Sequence, residues 1–174
     1  MKLCYQAATP DVVIADSVTA YQGTLDQSFG GLSRLGYDGV ELMTLNPGAL
    51  DWKEVKQTAD KYGLNVVLVC TGEIFGQLGL SYTSPVEDNR REAIRRSKEI
   101  IDFASYLGAN INIGRVRGQY CGQLSREETE ELAVHAFREL ADYGAPKNVK
   151  IALETVTIMQ TSIRWQRPRT WWSG

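Results

Sequence analysis

A chain of 174 residues with 43% hydrophobic residues can build one ordinary domain around a single core, and two domains would be crowded. Its formal charge of −2 and pI near 5.5 exclude the global basic field that draws proteins onto phosphate backbones or anionic membranes, so no nucleic-acid partner is expected. The cysteines Cys4, Cys70 and Cys121 are widely spaced and form no paired motif; no leader-like segment opens the chain and no run of about 18 apolar residues occurs, so a reduced, cytoplasmic protein without a membrane partner is expected.

In chain order, short apolar runs rich in β-branched residues fall at 2–6, 39–43, 65–70, 109–114 and 149–154, and these are the predicted strands. Each interval between them carries a helical pattern. Capping boxes open helices at Thr24 to Gln27, Asp51 to Glu54, Ser84 to Glu87 and Ser125 to Glu128, where a side-chain oxygen and a returning Glu or Gln satisfy orphan amides. Gly36, Gly63 and Gly108 stand where helices stop, just before the next strand. From Asn89 to Leu107 one face carries Ala93, Ile94, Ile100, Ile101, Ala104 and Leu107, so this helix packs one side on a sheet.

Strands that are apolar nearly throughout, each followed by a helix, predict a parallel sheet of right-handed crossovers, either open or closed into a barrel. The segments 7–23 and 71–83 are longer than a minimal connection needs, and both follow strand C-termini. That edge is the ligand-binding edge of α/β folds.

Several segments together resemble one family: Leu35-Gly36-Tyr37-Asp38-Gly39-Val40-Glu41-Leu42, Cys70-Thr71-Gly72-Glu73, the stretch from Ala104 to Gly118, and Ile151-Ala152-Leu153-Glu154. Their order and spacing are similar to the xylose-isomerase-like TIM barrels, nearest to ketose or keto-sugar-acid 3-epimerases of the tagatose epimerase type. The resemblance implies a parallel (β/α) barrel of TIM type that is incomplete, with about five of eight βα units, over residues 1–156. It implies metal-assisted proton transfer at the carbon beside a sugar carbonyl, with a sugar or keto-sugar acid as substrate. It also implies a divalent metal, Mn2+ first and Mg2+ or Co2+ as alternatives.

By the same resemblance Glu154, ending the fifth strand, is the catalytic and metal-binding glutamate. Arg115 and Arg117 match a turn whose guanidinium groups either hold substrate oxygens or pair with acids. Glu73 and Glu41 end strands on the same face, as pocket lining or as structural hydrogen-bonding groups, the second being favoured for Glu41. His135 falls on the charged side of its helix and is expected to face solvent.

Residues 157–174 depart from the pattern. They hold three of the four tryptophans, no acidic residue and no periodicity, and Pro168 interrupts any helix. Codons permitted for such a segment can spell, in another frame, an aromatic loop and an acidic amphipathic helix, so a frameshift is the expected origin of residues 157–174. The other metal ligands of the family do not appear, and one carboxylate is too few to hold the ion. Low or absent activity of the isolated chain is therefore expected, with an apolar interior face and two open sheet edges that favour a homo-oligomer. The alternative is a non-catalytic half-barrel that self-associates or binds a sugar-like ligand. The endonuclease branch of the superfamily, with its several histidines and basic groove, is disfavoured by a single histidine and an acidic pI.

Overall fold

The computed structural model describes residues 1–13 and 18–155. The segment 157–174 lies outside the described residues. Five strands, β1 (Cys4–Ala8), β2 (Gly39–Met43), β3 (Asn65–Cys70), β4 (Asn110–Ile113) and β5 (Ile151–Leu153), pair in parallel in the order of the chain. A doubly wound sheet reverses its strand order; this one does not, and it is the arrangement of a barrel segment.

The helices are α1 (Leu25–Arg34), α2 (Trp52–Lys61), α3 (Gly72–Leu78), α4 (Glu87–Leu107) and α5 (Arg126–Gly144). Thr24 and Ser125 close complete capping boxes with Gln27 and Glu128. Asp51 accepts from the Lys53 and Glu54 amides at 2.9 and 3.1 Å, the forward half of a box. The predicted box at Ser84 is corrected: α4 starts from Val86 with no side-chain cap, and Ser84 Oγ accepts from the Val86 amide instead. Ser84 stands two residues before the N-cap position Val86, too early to cap the helix. Gly36, Gly63 and Gly108 all adopt positive φ, as helix stops require. A further helix, α3, lies inside what the sequence presents as loop.

Alternation along the strands sorts the two faces of the sheet. Val40, Leu42, Val69, Ile111 and Ile113 point to the helices and are fully buried with Phe29, Leu32, Ile100, Ile101, Phe103 and Leu140. Successive helices pack side by side over them, α1 on α2, α2 on α4 and α4 on α5. Burial of each large side chain contributes about 1.5–3 kcal/mol, which makes this layer the main source of stability.

The opposite, concave face is set by the register Gln6 to Glu41, Glu41 to Leu68, Leu68 to Asn110, and Asn112 to Ala152. An irregularity between Val40 and Glu41 brings Leu68, rather than Val67, opposite Glu41. Gln6, Glu41, Asn110 and Asn112 share this face with Leu68, Cys70 and Ala152, so the interior face expected to be apolar is mixed, which lowers the cost of exposing it.

The β1 edge is also less open than expected. Tyr21 forms a parallel bridge to Ala7, its amide donating to Gln6 O at 2.8 Å and its carbonyl accepting from Ala8 N at 2.9 Å. No helix among the described residues is long and apolar enough to cross a membrane.

Candidate active site at the C-terminal edge of the sheet

The strand C-termini carry a chain of polar side chains. Gln6 Nε2 on β1 donates to Glu41 Oε1 on β2 at 3.0 Å. Asn112 Nδ2 on β4 donates to Glu41 Oε1 and to Glu154 Oε1, each at 2.7 Å. One amide therefore gathers two carboxylates from strands on either side of it. Glu154 follows β5 directly and its amide donates to Ile113 O at 3.0 Å, which continues the sheet pairing by one residue. Its carboxyl is held above the usual carboxylate range, first by partial desolvation and then by the charge of Glu41, with Arg115 and Arg117 acting in the opposite direction.

Beneath this line Cys70 is buried. Burial pushes its thiol up to about 12, and the charges of Glu41, Glu154 and Glu73 push the same way, while the Gly72 amide at 3.3 Å pulls against them.

The four residues singled out in the sequence occupy one edge but belong to two groups. Arg117 is buried and its Nη1 donates to the Glu154 carbonyl at 3.2 Å, so it steadies the backbone that carries the glutamate; its Nε has no partner among the described residues. Arg115 turns instead to α3, where its Nη2 donates to Glu73 Oε1 at 2.9 Å. Glu73 also accepts from Gln77 Nε2 at 2.9 Å through Oε2, and Gln77 reaches Val13 O at 3.2 Å in the loop after β1. Arg115 thus takes the acid-pairing option that the sequence left open. Gly76 makes room for it, since a Cβ there would stand 2.8 Å from Arg115 Nη2.

Glu41 is a hydrogen-bonded strand residue, as favoured from the sequence. Asn112 and Gln6 were not singled out. The signal for Asn112 was present in the alternation Asn110-Ile111-Asn112-Ile113, which puts two amides on one face of an otherwise apolar strand. His135 is exposed on α5, well inside a helix on the outer layer.

Two anchors fix the loops above this edge. Asp11 Oδ2 accepts from Thr44 Oγ1 and from the Leu45 and Asn46 amides at 3.0, 2.8 and 2.7 Å, tying the loop after β1 to the loop after β2. Thr71 Oγ1 donates to Asn112 O at 2.8 Å, tying the start of α3 to β4.

A profile described as the xylose isomerase-like TIM barrel matches residues 30–169. The chain belongs to the xylose isomerase-like TIM barrel family. An L-ribulose 3-epimerase of Methylomonas sp. (strain DH-1) is 29% identical over 144 residues, which are 79% of this chain and 47% of that protein. Among solved structures, a D-allulose 3-epimerase from Methylomonas sp. in complex with D-allulose superposes with a TM-score of 0.61 at 23% identity, over 89% of this chain and 52% of that one. A D-psicose 3-epimerase with D-tagatose from Clostridium cellulolyticum H10 gives 0.65 at 19% identity, over 88% and 52%. The chain spans about half the length of the relatives it matches.

The family resemblance implies a divalent ion at Glu154, and the donor set can be tested against it. Among the described residues no group of three His, Cys, Asp or Glu side chains converges as a metal site would need. Glu41 and Glu154 do approach each other, but the group between them is the Asn112 N–H2, a donor whose hydrogens carry partial positive charge. This set does not fit the ion.

Proposed function

We propose that this chain carries the first five strand–helix units of a keto-sugar 3-epimerase, in which Glu154 is the carboxylate that removes and returns the proton on the carbon beside the carbonyl. The observation that carries the reading is Glu154 itself: it ends β5 at the ligand-bearing edge, with Asn112 holding its carboxylate and Arg117 its backbone. A base must lie within hydrogen-bond reach of its proton, and fixing both ends of the residue supplies that reach. A carboxyl pKa displaced upward makes Glu154 a stronger base than an ordinary carboxylate and keeps it able to return the proton.

In this reading Glu73, Arg115 and Arg117 flank the sugar that lies beside Glu154. Arg115 keeps free N–H groups after pairing with Glu73, and with its side chain 45% exposed it can donate to a sugar hydroxyl. The metal-assisted form of the reaction belongs to a completed barrel: the cation, Mn2+ by the family resemblance, is not held by the described half. The chain alone is accordingly a binder of keto sugars with little or no turnover. Self-association through the β5 side, where Leu153 is exposed, is part of the proposal.

The test is a ¹⁵N NMR titration of the chain with D-tagatose and D-allulose. Signals of Asn112, Glu154, Arg115 and Glu73 are expected to move together in the wild type, and Glu154→Gln to weaken the response. Shifts confined to the outer helices, or none at all, would reject the reading. A C3-deuterium exchange assay in D2O with Mn2+ reports on turnover separately.

A further inference from the structure

The concave face poses a problem of charge. Glu41 and Glu154 project from β2 and from the end of β5, and their Oε1 atoms are no farther apart than the span of two hydrogen bonds through one nitrogen. Two carboxylates this close repel unless something positive stands between them. We infer that the Asn112 side-chain amide takes the place of a cation between Glu41 and Glu154, so that this half of the barrel holds its two carboxylates together without a metal ion. The inference rests on the reading of Glu154 as the family glutamate.

Three observations support it. A primary amide has two N–H donors, and Asn112 directs one to each carboxylate at 2.7 Å, the short distance of a charge-assisted bond. The other end of the same amide, Oδ1, is buried with no partner among the described residues, in a residue only 2% exposed. An orphaned oxygen beside a doubly used nitrogen shows that the two acids fix the amide: the reverse orientation would set an acceptor against two acceptors. Glu41 Oε1 receives a further N–H from Gln6, so the donors recorded on these two carboxylates are amides of this chain.

The substitution that exposes this role is Asn112→Asp. It exchanges the two N–H donors for oxygens and leaves three carboxylates facing one point, a hard oxygen set of the kind that takes Mn2+, Mg2+ or Ca2+. The full chain is titrated with Mn2+ and free ion is followed by electron paramagnetic resonance. The wild type is expected to show no saturable binding below about 1 mM, the weak end of biological sites. Asn112→Asp is expected to bind at least about tenfold tighter, which is one decade of affinity, and Asn112→Asp with Glu41→Gln to lose that gain. Saturable wild-type binding that Glu154→Gln removes would overturn the inference, as would an Asn112→Asp chain that binds no tighter than wild type.

If Asn112→Asp does not fold, the side-chain amide of Asn112 gives a second readout in ¹⁵N spectra of the native sequence. Its two proton signals are expected to move in Glu41→Gln and again in Glu154→Gln; a pair that moves in neither overturns the inference. Neither readout depends on turnover or sugar binding, so the failure of the sugar reading and the failure of this one are separable.

Discussion

Arg115 and Glu73 are joined at 2.9 Å across unequal environments, the arginine side chain 45% exposed and the glutamate 6%. The pair is therefore more important to Glu73 than to Arg115, because a buried carboxylate that loses its cation keeps its desolvation cost. Replacing Arg115 with Met should lower stability by about 1–3 kcal/mol, the cost of leaving a buried polar group underpaired. Glu73→Gln, which neutralises the buried partner, should cost less. Urea denaturation of the two variants checks the order; equal costs would show that the pair is a surface pair in energetic terms. Gly76→Ala should reproduce part of the Arg115→Met loss, since the added methyl displaces the guanidinium end.

Capping separates two threonine and serine positions that look alike in sequence. Thr24→Ala removes a reciprocal cap and should cost about 1 kcal/mol. Ser84→Ala should cost only a few tenths, the level of an exposed substitution away from special features, because α4 begins at Glu87 from an uncapped Val86. Thermal melts of the two alanine variants give the comparison, and a larger loss at Ser84 would contradict the observed start of α4.

Cys4 and Cys121 are exposed and Cys70 is buried, so an aromatic disulfide at neutral pH should titrate two thiols at once and the third only on unfolding. The same burial sets a pH dependence. The thiol ionises near 9 when free and near 12 in the fold. The stability that Cys70 brings is complete below the lower value and declines as pH rises through the window, by about 1.4 kcal/mol per pH unit for one group. Urea melts between about pH 9 and 10, below the ordinary tyrosine range, should show a slope that Cys70→Ala removes.

The change of composition from residue 157, within a stretch the family profile still matches to residue 169, carries the proposal of a frame error. Sequencing the locus on both strands should reveal an alternative frame that continues into further strand–helix units with an Asp, a His and a second Glu. A confirmed frame with no such continuation would remove this proposal.

The parts of the fold legible in sequence were those where two signals coincide. β2 and β3 fall where predicted because each is a β-branched run bounded by a glycine-ended helix. β1 lies two residues later than predicted, since its last residues Ala7 and Ala8 have no strong preference and take their state from pairing with Leu42 and Met43. α3 escaped because Gly72, Gly76 and Gly79 dilute its pattern; it is held from outside, by Arg115 and by the 3-10 turn Arg115–Arg117. The glutamate that ends β5 was visible through family resemblance. Alternation marks the face of Asn112 but not its role, because that role comes from Glu41, 71 residues earlier, and Glu154, 42 later, and no local window contains both.

The bridge from Tyr21 to β1 gives the sheet a direction. Gln6 O and Ala8 N, the groups β1 would offer to an arriving strand, are already bonded to Tyr21. A newcomer on that flank must first exchange two formed hydrogen bonds for two others and gains little from the trade. Among the described residues no backbone partner occupies the outer side of β5, and Glu154 already extends the pairing past Leu153. The half-barrel is in this sense one-ended, with a finished flank and a growing one. Whatever completes it, in the same chain or another, is expected to begin beside Glu154, the glutamate of the proposed site.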